Sequence, residues 1–241
     1  MNNIGKTLKD NMHSAGIIKT NFYNYFYKVF YSYPETSFIG ITSRLIPYFD
    51  ELKKHIMNND YSTSINVLKN YSTYEQSLKE DQIEDLLELL QDIYHELFLD
   101  SVYSIPCTAS GYIASSDMQV REIEKVKNIY EINNFLPPEE NTYPVDHISI
   151  EMLYMQQINA LFTKFLEEEN KDKLLNILQE QYNFLQAHIL TWINEFTIHL
   201  KEQITQPESN LYYAVAGIMN EFVKYDKKLT EEFLKTLKSQ E

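Results

Sequence analysis

Leu136-Pro-Pro-Glu-Glu-Asn-Thr-Tyr-Pro-Val-Asp-His-Ile-Ser-Ile-Glu-Met-Leu153 separates two helical stretches of the chain. Pro137, Pro138 and Pro144 each fix φ, lack a backbone donor and push the preceding residue out of the α region, so no helix passes through. Asp146 then stands where an N-cap is expected, ahead of the apolar Ile148, Ile150 and Leu153. The chain therefore reads as an N-terminal helical part, 1–135, a hinge loop, 136–145, and a C-terminal helical part, 146–241, packed as one unit.

Upstream of the hinge, Ile18, Phe22, Phe26, Val29 and Tyr33 recur at helical spacing until Pro34 stops them, and aromatics surround the same segment, so this helix is expected to be buried on more than one side. Residues 37–54 read as a second helix, interrupted or kinked at Pro47, and 62–70 as a short third. From Gln82 to Leu99, Ile83, Leu87, Leu90, Tyr94 and Leu97 form an apolar face beside an acidic stripe of Asp81, Asp85, Glu88, Asp92 and Glu96. That stripe reads either as a solvated face or as a landing strip for a basic peptide, since like charges one turn apart are mildly unfavourable until something cationic offsets them. Residues 101–116 lack periodicity and read as a loop of functional length; Asp117 is then expected to cap a helix to Asn133.

Downstream, Ile150, Tyr154, Ile158, Leu161 and Phe165 predict a helix ending at Glu167-Glu168-Glu169-Asn170. One long helix is expected over 171–203, with Leu178, Tyr182, Leu185, Ile189, Trp192, Phe196 and Leu200 inward and His188 at the edge of the stripe. Two last helices, 209–223 and 227–237, follow Pro207. With five glycines and few alternating β-branched runs in 241 residues, the fold class is all-α, a bundle of about ten helices in two halves.

A net charge of −14 with only two arginines, Arg44 and Arg121, argues against a nucleic-acid partner and for a cationic one. The single cysteine, Cys107, excludes an intrachain disulfide and fits a reducing compartment. The N-terminal segment is broken by Lys19 and Lys28 and does not read as a signal peptide, and no apolar run is long enough to span a bilayer, so a cytoplasmic location without membrane insertion is expected. Glycine-rich phosphate loops, a His-Glu-x-x-His motif and paired Glu-x-x-His motifs are all missing from the sequence. A nucleophile made from Cys107 and a distant histidine has no local signature behind it. No catalytic residue and no metal ligand is assigned.

What remains is a constellation of Tyr143, Pro144, Asp146, His147 and Glu151 at the hinge, with Ser110 and the Pro106 loop, and His188 and Trp192 further on. Asp146 as an N-cap would contribute about 1 kcal/mol. His147 reads as a partly exposed first-turn residue, and a neutral ring is favoured because a cation is disfavoured at a helix N-terminus. For His188 and Trp192 the residue-level reading is a packed core pair.

Tyr143-Pro-Val-Asp-His-Ile resembles the Glu-Pro-x-Asp-His-(Ile/Leu) hinge signature of the TorD/DmsD family of molybdoenzyme-specific chaperones, with tyrosine in the place of glutamate. Phe184-Leu-Gln-Ala-His-Ile-Leu-Thr-Trp192 is similar to that family's Phe-Leu-x-x-His-Leu-x-x-Trp helix. Tyr94-His-Glu-Leu-Phe-Leu99, followed by Pro106 and Ser110, and Leu211-Tyr-Tyr213 also match its order of motifs. Asn134 stands where the family commonly has glycine.

The resemblance implies a TorD-like, non-enzymatic chaperone that binds the twin-arginine leader and apo catalytic subunit of a molybdenum reductase and assists cofactor insertion and proofreading before export. It implies no stably bound cofactor, only transient contact with the client's molybdopterin guanine dinucleotide. Tyr143, Pro144, Asp146, His147, Glu151 and Ser110 would be the peptide-binding residues, with Asp146 accepting from an arginine; Pro106, His188 and Trp192 would be structural. An acidic surface beside an apolar groove complements a leader with a basic start and an apolar middle. Two other readings stay open: a NarJ-type assembly factor for a reductase that remains in the cytoplasm, and a GTP-binding switch using Asp146, His147 and Glu151. The stiff hinge implies a monomer with a domain-swapped dimer as a minor form.

Overall fold

The computed structural model describes residues 6–100 and 104–239; positions 101–103, the start of the expected 101–116 loop, and the ends of the two expected parts, 1–5 and 240–241, lie outside the described residues. Among the described residues the architecture is all-α. Nine α-helices, against about ten expected, are joined by short 3-10 turns and one π turn, and no strand forms. None of these helices is long and apolar enough to cross a membrane.

Helix α1, Lys6–Tyr31, starts well before the expected aromatic segment and buries Met12, Gly16, Phe22, Tyr23, Tyr25, Phe26, Val29 and Phe30. It lies along α6, Ile148–Glu167, which belongs to the other side of the hinge. Gly16 permits this approach: a Cβ there would clash with Thr163 Oγ1 and sit 3.0 Å from the Phe162 ring. The aromatics turn inward on both flanks, with Phe22 stacked on Phe49 of α2 (Ile41–Leu52) at 4.2 Å and edge-on to Phe222 of α9 (Leu211–Lys238) at 5.2 Å. The chain remains helical through Pro47.

Helix α3, Asn59–Ser77, extends the expected 62–70 segment at both ends because Asn58 caps it, accepting from Asp60 N. Helix α4, Ile83–Phe98, buries Leu86, Leu90, Tyr94 and Leu97 and leaves its acidic stripe exposed. Three other boundaries differ from expectation. Helix α5, Ser116–Ile132, takes Ser115 rather than Asp117 as its N-cap. The expected 171–203 helix is α7, Lys171–Phe184, and α8, Leu190–Gln203, joined by a π turn at Leu185–Ile189. The two expected C-terminal helices are one, α9, Leu211–Lys238, because Lys224, Tyr225 and Asp226 continue the helix and Asp226 is itself a core residue. Helix α9 packs on α3, α7 and α8 and is the central element of the core.

Candidate functional site

The hinge and the loop before α5 form one seam. Ala109 N donates to Asp146 O at 3.0 Å and Ile148 N to Cys107 O at 2.7 Å, an isolated antiparallel bridge that pairs Thr108 with His147. Asp146 is not the N-cap of α6. His147 takes that position, its Nδ1 accepting from Ser149 N at 3.3 Å and lying 2.7 Å from Ser149 Oγ. Asp146, one residue earlier, instead accepts from Ser110 N at 2.8 Å through Oδ2, so its carboxylate caps the 3-10 turn Ala109–Tyr112 from across the seam. The tight turn itself comes from Thr108, whose hydroxyl accepts from Gly111 N.

Tyr143 roofs this seam. Its ring stacks on His147 at 4.2 Å, lies edge-on to Tyr31 of α1 at 5.7 Å, and places its hydroxyl 3.3 Å from that of Tyr94 on α4. Pro106 and Pro144 are exposed, Tyr143 and Ser110 are half-buried, and Asp146, His147 and Glu151 are buried. His147 is thus not the partly exposed residue expected. Burial lowers its pKa to about 4, which keeps the ring neutral.

Below the seam lies a buried ionic cluster. His188, in the π turn, is completely buried and places Nε2 2.5 Å from Glu151 Oε1 on α6 and Nδ1 2.5 Å from Glu122 Oε1 on α5. Lys125 reinforces the junction, donating to Glu122 at 3.0 Å and to the Ala187 carbonyl of the π turn at 2.8 Å. The π turn alters local side-chain placement at the point where three helices meet. The packed core pair expected from sequence is corrected here: Trp192 is a core residue, against Phe196 at 5.8 Å and Tyr112 at 5.7 Å, but His188 is an ion-pair centre.

Burial opposes the imidazolium, yet Glu151 and then Glu122 outweigh it and raise the His188 pKa to about 9. Burial also raises Glu151, to about 7, with the nearby Asp146 charge adding to the rise against the pull of His188. Glu122 is held down at about 2, first by its bond to His188. Three atoms of this region, Asp146 Oδ1, Glu151 Oε2 and Trp192 Nε1, are buried without a formed hydrogen bond. The indole faces Glu151 and lowers its pKa without reaching bonding geometry.

The structure therefore brings together Pro106, Ser110, Tyr143, Pro144, Asp146 and His147 at the seam, with Glu151, His188 and Trp192 beneath them. The acidic stripe of α4 lies outside this cluster, connected to it by Tyr94 on the helix's inner side. Glu122 and Lys125 were missed: they sit on an ordinary surface-like stretch of α5, and nothing in their spacing points to the π turn. Cys107 makes a poor nucleophile, because burial pushes its thiol up to about 12. Nor does the ionic cluster converge on a metal, since the two carboxylates occupy opposite nitrogens of one ring; among the described residues no group of three or more His, Cys, Asp or Glu could hold one.

Residues 57–197 match the family model described as nitrate reductase delta subunit. The chain is also 23% identical over 203 residues to the chaperone protein TorD of Vibrio cholerae serotype O1, in strains ATCC 39541 and M66-2, an alignment covering 78% of this chain and 88% of the relative. No solved structure matches significantly.

Proposed function

Because the chain belongs to the nitrate reductase delta subunit family, we propose that it is a chaperone in the maturation of a molybdenum-containing reductase, binding the twin-arginine leader and the apo catalytic subunit before export. It is a binding protein and not an enzyme. The observation that carries the reading is the stitched seam: segments about forty residues apart in sequence are held by backbone bonds and by the buried Asp146, presenting the exposed Pro106 and Pro144 and the half-buried Ser110 and Tyr143 as a firm rim. Such a rim suits recognition of a peptide rather than turnover of a small molecule.

In this proposal Asp146 first fixes the rim, and meets a leader arginine only when the 106–112 loop is displaced from it. His147 and Glu151 support the rim from beneath. The chain holds no cofactor of its own; contact with the client's molybdopterin guanine dinucleotide accompanies its insertion into the client. The protein is a monomer, with a swapped dimer as a minor form in which α1 of one copy lies along α6 of another; light scattering that gave only higher oligomers would contradict this.

Isothermal titration calorimetry of the full chain with the leader of a reductase encoded beside it tests the central claim. Binding that weakens as salt rises is expected. Failure to bind every neighbouring leader would remove the export role, and salt-insensitive binding would remove its electrostatic part. The family description favours one other reading, an assembly factor for a reductase that carries no twin-arginine leader. Binding to the N-terminus of such a client, and not to leaders, would select it.

A further inference from the structure

Toward the other end of α1 from Tyr31 and the seam, a separate cavity of 260 Å³ opens between α1, α2 and α9. Its depth is apolar, lined by Ala15 and Ile18 of α1, Leu52 of α2, and Phe222, Tyr225 and Leu229 of α9. Phe222 belongs to the buried core and the other five pack against that core, so the walls are set by the fold itself. The exposed Asn11, Ser14 and His55 form the rim, where the His55 ring lies 5.9 Å from that of Tyr225.

The one lysine and the one carboxylate that line the cavity already have partners. Lys19 is buried, pairs with Asp226 at 2.6 Å and lies 3.3 Å from Thr230 Oγ1, and Asp226 also accepts from Tyr23 and Gln181. Glu51, at the exposed edge, pairs with Lys54 at 2.5 Å. An anion in the cavity would have to draw Lys19 away from its carboxylate, and a cation would find no open carboxylate in the apolar part. Either would be desolvated without an ion partner, so the occupant is uncharged.

Size narrows the chemistry further. An apolar cavity of about 150 Å³ holds a benzene ring, and sites for drug-sized ligands and cofactors begin near about 300 Å³. At 260 Å³ the cavity suits one or two fused rings and is too small for a nucleotide. The lining positions on each helix fall within about two turns, roughly 12 Å, which is a short track for a bound peptide helix. Phe222, Tyr225, Tyr48 and His55 offer ring faces and edges to a planar guest.

We propose that the cavity between α1, α2 and α9 is a binding site for a small, uncharged aromatic molecule of one or two rings, packed against Ile18, Phe222 and Tyr225 with a single hydrogen-bonding group at the rim beside Ser14 and His55. The site is separate from the chaperone reading and does not depend on it. A molecule held there ties the first two helices to the last and stabilises the fold by mass action.

The test uses the full chain and 1-aminonaphthalene, which is neutral at pH 7 and emits further to the blue in apolar surroundings. Saturable one-to-one binding is expected, at least about tenfold tighter than that of 1-naphthoate or 1-naphthylmethylammonium, which put a negative or a positive charge on the same rings. Ala15→Phe, which fills the cavity, and Ser14→Trp, which covers its mouth from an exposed position, should each weaken binding about tenfold or more. Ser14→Trp leaves the core untouched, so it reads the site without relying on the fold of Ala15→Phe. Leu136→Ser, which removes an exposed apolar side chain at the hinge, should change binding less than about twofold. Absence of saturable binding would overturn the site. So would binding that neither Ala15→Phe nor Ser14→Trp weakens, that Leu136→Ser weakens as much, or that is as tight for either charged analogue. Tighter capture of N-acetyl-tryptophanamide than of the free ring would assign the cavity to a side chain of a protein partner and overturn the small-molecule reading. Each of these outcomes leaves the chaperone reading as it stands.

Discussion

Two buried ionic clusters differ in how completely their charges are matched. In the first, Lys19 of α1 and Asp226 of α9 pair at 2.6 Å, and Asp226 also accepts from Tyr23 at 2.6 Å, Gln181 at 3.0 Å and Thr230 at 3.3 Å. Gln181 passes the network to Asn159 of α6 at 3.1 Å, so four helices meet around one cation and one anion. In the second, below the seam, His188 faces two glutamates, Asp146 lies close enough to raise the pKa of one of them, and both Asp146 and Glu151 keep an unbonded buried oxygen. The first cluster is neutral and its carboxylate is saturated. The second sets His188 and Lys125 against Glu122, Asp146 and Glu151 and carries surplus negative charge once Glu151 is ionised, so its strength depends on pH, and it sits where α5 and the 106–112 loop join the rest of the fold.

The largest test of this difference is Lys19→Met, which leaves Asp226 as an uncompensated buried charge. A loss of about 3–5 kcal/mol is expected from urea unfolding, independent of pH between 6 and 8. Adding Asp226→Leu should recover part of the loss, because the stranded charge goes with it. At the seam, His188→Ala should cost less, about 2–3 kcal/mol near neutral pH, because Glu151 can take up a proton when its cation is removed. That cost should shrink from pH 6 to pH 8, because the folded His188 pKa lies above its unfolded value and the stabilisation its proton brings is lost as pH rises from about 6.5 toward about 9. A His188 variant with a cost that does not change with pH would place the two clusters in the same class.

Intact, the seam cluster predicts an alkaline loss of stability. Glu151 at about 7 and His188 at about 9 both lie above their unfolded values, so the folded state binds the extra protons. Their stabilisation is complete below the unfolded pKa values and is lost as pH rises through about 7 and then about 9. About 1–2 kcal/mol should disappear between pH 6.5 and 9, read from denaturation midpoints at constant salt. On the acid side the signs reverse: His147 at about 4 and Glu122 at about 2 lie below their unfolded values, so stability present at neutral pH is lost as pH falls through 6.5 toward 4 for the histidine, and from 4.5 toward 2 for the glutamate.

The all-α fold was legible from periodicity and proline placement because apolar side chains recur on the helical period and Pro137, Pro138 and Pro144 cannot join a helix. Boundaries set by caps were less so. Asp146 and Asp117 look like N-caps by residue type, but His147 and Ser115 hold the positions, since the Asp146 side chain is drawn across the seam to Ser110. The assembly of Tyr143, Asp146, His147 and Ser110 was foreseen through resemblance, not through any local rule. Glu122 and the pairing of Lys19 with Asp226, 207 residues apart, were invisible because long-range ion pairs leave no trace in spacing. The π turn was invisible too: Leu185–Ile189 continues the apolar stripe without a break, and the extra backbone residue shows only in three dimensions.

The smallest effect is the most discriminating, because one kind of substitution should have different consequences in the two clusters. Asp226→Asn leaves Lys19 buried without a counter-charge and should destabilise the protein clearly. Asp146→Asn keeps an oxygen to accept from Ser110 N and removes a negative charge beside Glu151, so stability at pH 7 should move by less than about 1 kcal/mol. It should also lower the Glu151 pKa toward its unfolded value, which makes the alkaline loss shallower by reducing the proton-binding difference between the folded and unfolded states. Asp146→Ala serves as the contrast, since it deletes the acceptor as well as the charge and should loosen the 106–112 loop, read as faster amide exchange at Ser110. If Asp146→Asn instead cost as much as Asp226→Asn with the alkaline limb unchanged, the carboxylate charge would be part of a balanced structural pair, and surplus negative charge would not be what distinguishes the seam.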